Sequence, residues 1–193
     1  MKKSLGAKTL LPSAPVWVVG TYDEAGRPNV MTASWAGICC SRPPCVTVSL
    51  RKATYTYACI EARKAYTVSV PSVAHVREAD FMGMVSGAKV DKFAATGLTP
   101  VRSDLVDAPY VSEFPLVLEC RLRETVEVGL HTMFVGEILD VKVDEEALGG
   151  DGRSDPARLE TFLYLPENRT YHALGGHVAE AFAAGSQFKR EEE

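Results

Sequence analysis

Residues 49–56 read Ser-Leu-Arg-Lys-Ala-Thr-Tyr-Thr, a strand-like run that ends in two adjacent cations and passes into hydroxyls. Those residue types in that order can grip a phosphate. Arg51 and Lys52 bring positive charge, and Thr54 and Thr56 bring hydroxyl donors. If a helix starts at Thr54, its first N–H groups have no partner inside the helix and point at the same place. The same residues also describe a solvated strand end followed by an ordinary helix cap, and both readings stand on this segment alone.

Two other positions carry chemical potential. His131 follows Gly129 at an expected hairpin bend; it is either a surface imidazole or one that faces a ligand. Trp35 closes the run Thr32-Ala33-Ser34-Trp35-Ala36-Gly37. It is either a core tryptophan or one end of a wall whose small residues let a flat ring approach the backbone. The motifs Gly-x-Ser-x-Gly, His-Glu-x-x-His, Gly-x-Gly-x-x-Gly and the Walker loop do not occur. A phosphate would therefore be held by a strand-end cluster and not by a Rossmann or P-loop turn. Four scattered histidines and five cysteines without a Cys-x-x-Cys pair give no expected metal site. Cys39 and Cys40 read as reduced thiols.

These side chains need a scaffold. At 193 residues the chain has the size of one domain. Its net charge of −4 argues against general nucleic-acid binding, which needs a basic face. Apolar runs stay well short of the roughly 20 residues of a membrane span, and residues 1–6 lack the apolar core of a secretion signal. A cytoplasmic protein with no membrane association is the expectation.

The first half predicts short strands over residues 16–22, 29–35, 46–51 and 66–70, with a turn at 23–28 and a loop at 37–44. Alternation puts Val46, Val48 and Leu50 on one face and Thr47, Ser49 and Arg51 on the other. Thr67 and Ser69 fall on a polar face that is either solvated or lines a ligand. Residues 54–64 read as a helix with Thr54 at its N-cap, and residues 73–97 as helical pieces. From Phe114 onward, two long strands meet at Gly129, with Glu119, Arg121 and Arg123 on the polar side. A hairpin of that length builds a barrel more readily than a small open sheet. Residues 145–156 form a surface loop, and residues 189–193 a charged tail. The fold class expected is mainly β with peripheral helices, in a single domain with its core at about residues 12–175.

Four segments, taken together and in order, resemble the flavin reductase-like, FMN-binding split-barrel proteins, and most of all their flavoredoxin branch. They are Pro15-Val16 through Gly20-Thr21, Pro28-Asn29-Val30-Met31 through Trp35, Pro43-Pro44 through Thr56, and Ser86-Gly87 with Val90-Asp91-Lys92-Phe93. Glu119-Cys120, Gly129, His131 and Phe134-Val135-Gly136-Glu137 fit the same pattern. The resemblance implies a homodimer of split β-barrels with FMN near the subunit interface. By position, Thr32, Ala33, Ser34 and Trp35 would line the flavin ring, with Ser49, Leu50 and Arg51 beside it. Arg51, Lys52, Thr54 and Lys92 would surround the phosphate, with Ser86 and Gly87 closing that end. His131 matches the family histidine near the flavin and, in reductases, near the nicotinamide.

Such a protein needs no acid–base pair of its own, because the flavin carries the electrons. The resemblance implies a flavoredoxin-like electron carrier serving redox partner proteins. An NAD(P)H-dependent flavin reductase is the alternative, and a non-redox flavin-binding module a second one.

Overall fold

The computed structural model describes residues 1–188, so the expected charged tail at 189–193 lies outside it. The strands are β1 (Ala14–Pro15), β2 (Trp17–Tyr22), β3 (Pro28–Ala33), β4 (Ala36–Ser41), β5 (Pro44–Arg51), β6 (Ala65–Val70), β7 (Pro100–Arg102), β8 (Pro109–Val111), β9 (Leu116–Val128), β10 (His131–Val143), β11 (Phe162–Leu165) and β12 (Thr170–Ala173). The helices are α1 (Tyr55–Arg63), α2 (Val76–Met84), α3 (Lys92–Thr96) and α4 (Pro156–Leu159). A seven-stranded antiparallel sheet runs β3-β2-β6-β9-β10-β5-β4. It curls until β3 and β5 touch without a shared ladder, and α1 packs against both. The barrel is therefore split at that seam. Among the described residues no helix is long and apolar enough to cross a membrane.

Alternation explains the closed side. Val46, Val48 and Leu50 point inward with Val19, Val68 and Phe134, and Ile60 of α1 plugs the same interior. Because β2 is buried on both faces, Val18 on its other face, with Val16 just before the strand, packs with Met82 of α2 and Phe93 of α3. The long hairpin is present as expected: β9 and β10 pair along their length and turn at Gly129, whose φ of +52° suits glycine.

Three expectations are corrected. Residues 37–44 are not a loop: β4 occupies Ala36–Ser41 and pairs with β5, so only Arg42 and Pro43 make the reversal. An edge strand with little core to cover has weak apolar patterning, and Gly37, Cys39 and Cys40 concealed it. Thr67 and Ser69 face neither solvent nor a ligand. Both are buried; Thr67 donates to Pro109 O at 2.5 Å, and Ser69 accepts from Val111 N at 3.3 Å, so they hold β8 against β6. Gly20 is what lets β8 come so near, since a Cβ there would lie 2.1 Å from Pro109 O. Finally, Glu119 is fully buried and paired with Lys142 instead of lying on a wet face with Arg121.

Candidate functional site

The seam between β3 and β5 opens onto the start of α1. Thr54 is the N-cap residue by backbone conformation, but its side chain makes no capping bond. Its hydroxyl donates backward to Arg51 O at 2.8 Å. That bond tightens the turn out of β5 and leaves the helix N–H groups uncapped from within. Thr56, one half-turn on, is buried and accepts from Asn29 Nδ2 at 3.0 Å. Tyr55 is braced from the other side, its hydroxyl donating to Asp23 Oδ2 at 2.9 Å. Burial pushes the Asp23 carboxyl up, but hydrogen bonds from Arg27 and Tyr55 outweigh it and hold the group below its usual range.

Facing the helix start is the segment after α2. Ser86 and Gly87 lie here, and their backbone turn is fixed by bonds from Lys89 N and Val90 N to Ser86 O. Next comes α3, capped by Asp91, whose carboxylate accepts from Ala94 N at 3.0 Å. The cap sets Lys92 at the first helical position and turns its side chain inward. Lys92 is only 3% exposed, and its Nζ donates to Met82 O at 2.7 Å. Burial lowers its pKa to about 8. A cavity of about 230 Å³ lies between these elements, bordered by Met31, Thr54, Thr56, Ser86, Gly87 and Lys92. An uncapped helix start on one side and a buried ammonium on the other give the cavity an electrostatic character that suits an anion.

The structure thus brings Thr54, Ser86, Gly87 and Lys92 to one cavity. Arg51, at the end of β5, is exposed and without an ion pair among the described residues, and it is not among the residues that line the cavity. Lys52 turns away to the hairpin, where its ammonium meets Glu127 Oε2 at 2.7 Å. That hydrogen bond and charge raise the Lys52 pKa and lower that of Glu127.

The residues expected beside the flavin ring lie at the ends of β3 and β5 and in the turn between β3 and β4. Ser49 N donates to Trp35 O at 2.8 Å, tying the end of the β3–β4 turn to β5. Trp35 is 37% exposed, so it is not a core tryptophan. Ser34 is half-buried, whereas Ala33 and Leu50 point their side chains into the barrel core and offer the seam only main chain. Thr32 is spent on α2, its hydroxyl donating to Ala79 O. His131 opens β10 directly opposite Arg51 of β5 and is half-buried.

Sequence reasoning overlooked Asn29 and Tyr55. Asn29 shares the face of Met31 by simple alternation along β3, and that period was the available signal. Among the described residues no group of three or more His, Cys, Asp or Glu side chains is arranged to hold a metal ion.

Comparison with known proteins agrees with the fold. Residues 12–174 match the family described as flavin reductase like domain. The flavoredoxin of Desulfovibrio vulgaris (Miyazaki F) superposes with a TM-score of 0.92 at 55% identity, over 96% of this chain and all of that one. A flavoredoxin from Methanosarcina acetivorans gives 0.91 at 27% identity, over 98% and 100%. An uncharacterized protein of Archaeoglobus fulgidus is 38% identical over 115 residues, spanning 60% of this chain and 65% of its own length.

Proposed function

Because the chain belongs to the flavin reductase-like domain family, we propose that it is a flavin-binding redox protein that retains FMN and relays electrons between protein partners. One observation carries the choice of flavin. Lys92 buries a positive charge whose single hydrogen-bond partner among the described residues is a carbonyl. An ammonium has three donors, so the site lacks both hydrogen-bond acceptors and a counter-charge. A phosphate monoester supplies both, and charge-assisted bonds to it are the strong kind.

In this reading Lys92, Thr56 and the first N–H groups of α1 hold the phosphate, with Arg51 reaching in from the end of β5 and the Ser86–Gly87 turn closing the end. The main chain of residues 32–35 and 49–51 lies along the flavin ring. Bound FMN supplies the electron-transferring group. The chain's own work is to bind, orient and exclude water, which is consistent with a site that lacks a nucleophile and its base.

The protein acts as a homodimer. Supporting this, Trp35, Ile38, Val128 and Leu130 expose apolar side chains around the seam and the hairpin end, a concentration that favours association. A second reading, an NAD(P)H-dependent flavin reductase, is favoured by His131. A half-buried imidazole opposite an unpaired Arg51 suits an anionic dinucleotide.

The test is direct. Purified protein is expected to be yellow, with about one FMN per chain, as phosphate anchoring implies. Anaerobic mixing with NADH and with NADPH should bleach the retained flavin slowly when no partner protein is present. Rapid bleaching by either nucleotide reassigns the protein to the reductases, and flavin that leaves on reduction fits a storage module. Colourless protein that takes up no added FMN overturns both redox readings.

A further inference from the structure

Five cysteines are free, and three of them meet at one point of the sheet. Strands β4 and β5 pair in step until Ile38 faces Val46; the register then slips, and Cys40 stands directly opposite Cys45. Cys39 is the extra residue of that bulge, so two thiols of β4 oppose one of β5. Directly opposite residues of an antiparallel pair share a face and hold their Cα atoms about 4.5–5.5 Å apart. A disulfide spans Cα separations of about 4.4–6.8 Å. Strand β4 is the edge of its sheet, with β5 as its one neighbour there, so it can make the small shift such a bond needs.

Exposure divides the pair. Cys40 is exposed and Cys45 is buried. Beside Cys45, Arg121 and Arg123 share the Glu137 carboxylate at 2.9 and 3.1 Å, and Arg42 in the adjoining reversal is exposed. Burial pushes the Cys45 thiol up; Cys40 of β4 adds to this, Arg123 of β9 opposes it, and Glu137 of β10 and Glu124 of β9 add to it again. Counted around the pair, three arginines outnumber the two carboxylates.

We propose that Cys40 and Cys45 form a dithiol centre that reduces small anionic disulfides and closes into a reversible disulfide between β4 and β5. Cys40, the accessible thiol, makes the first bond. Its thiolate attacks one sulfur of the incoming disulfide, that S–S bond breaks, and one thiolate leaves and is protonated. Cys45 then gives its proton to solvent and attacks the Cys40 sulfur; the mixed disulfide breaks and the second thiolate leaves and is protonated. Two protein thiols thus lose two electrons and two protons, and the incoming disulfide becomes two thiols. The centre begins β5 and lies about 20 Å along the strand from Arg51, so it does not rest on the FMN reading.

The experiment mixes full-length protein, reduced, desalted and kept anaerobic, with oxidised glutathione across about pH 6–9, a range that spans thiol ionisation. Samples are quenched in acid, alkylated, weighed intact and mapped by peptide mass. The parent should lose two free thiols, carry no glutathione and show Cys40 joined to Cys45, and dithiothreitol should restore all five thiols. Cys45→Ser should stop with glutathione held on Cys40. Cys40→Ser should form no internal bond, and Cys39→Ser should behave as the parent. Closing should speed up about tenfold per pH unit below the Cys45 pKa, because the thiolate is the nucleophile. Added salt should slow the reaction with oxidised glutathione and leave that with the neutral hydroxyethyl disulfide unchanged, as electrostatic attraction requires.

An unchanged parent, glutathione that stays on the parent's Cys40, or a bond from Cys45 to Cys39, to Cys120 or to a second chain overturns the proposal. Equal salt dependence for the two probes overturns its preference for anions. If Cys45→Ser does not fold, Cys40→Ser still decides, since a Cys45 disulfide formed without Cys40 contradicts the assignment.

Discussion

The ammonium of Lys92 lies 2.7 Å from the main-chain oxygen of Met82, and no carboxylate pairs with it among the described residues. A buried cation is costly unless paired, and one carbonyl near a helix end offsets only part of that cost. A ligand that brings negative charge would supply what the Lys92 ammonium lacks.

Lys92 therefore makes binding depend on pH. Its pKa in the fold is about 8, below the roughly 10.4 of an unfolded lysine. Between these values the unfolded chain holds the proton and the fold has released it, so flavin-free protein gains stability as pH rises through that window. The phosphate needs the charged form, so FMN affinity should fall above about pH 8. Urea unfolding and FMN titration across that range check both slopes, and Lys92→Met should flatten them.

Arg51 and Lys52 should differ although they are adjacent. Lys52 is engaged by Glu127 on the hairpin, whereas Arg51 has no ion pair among the described residues and ends β5 three residues before Thr54 of the cavity. Arg51→Ala should weaken FMN binding by about tenfold, the scale of one charge-assisted hydrogen bond. Lys52→Ala should change it several-fold less. A larger effect from Lys52, measured by the same titration, would place the phosphate on the hairpin side.

Gly87→Ala should be damaging at a position with ample nearby solvent. The new Cβ would lie 2.0 Å from Asn29 Oδ1 and 2.9 Å from the Tyr55 ring. Neither neighbour can yield freely, since Asn29 is buried and Tyr55 is tied to Asp23. Overpacking of this kind costs about 1–3 kcal/mol. Thermal unfolding should show a lower Tm together with weaker FMN binding.

Lys142→Met tests the fold away from the site. Glu119 is fully buried and Lys142 is its counter-ion. Removing one partner of a buried pair leaves an uncompensated charge and costs about 3 kcal/mol. Denaturant unfolding should record the loss, while FMN affinity at saturating protein stability stays unchanged.

Much of the barrel was legible because its strands obey the period of 2. Val46, Val48 and Leu50 alternate against Thr47, Ser49 and Arg51, and burial follows that alternation. What escaped were places where both faces are covered. Thr67, Ser69 and Glu119 are polar, and polarity reads as exposure until a second layer such as β8 is known to lie above. The cavity was half legible. The Arg51–Thr56 run announces an anion through its residue types, but which hydroxyl faces inward depends on the backbone turn. Thr54 and Thr56 both line the cavity, but the Thr54 hydroxyl is spent on Arg51 O and the Thr56 oxygen accepts from Asn29. Asn29 was hidden for a different reason: it is buried between Thr21 and Thr56, and residue type alone does not announce that.

The central claim is that this seam cavity holds a flavin by its phosphate. Its most direct test compares the dissociation constants of FMN and riboflavin for the parent protein at about pH 7, where Lys92 is charged. The account predicts FMN at least about tenfold tighter, the scale of a single charge-assisted hydrogen bond. Equal affinity for the two flavins would contradict it.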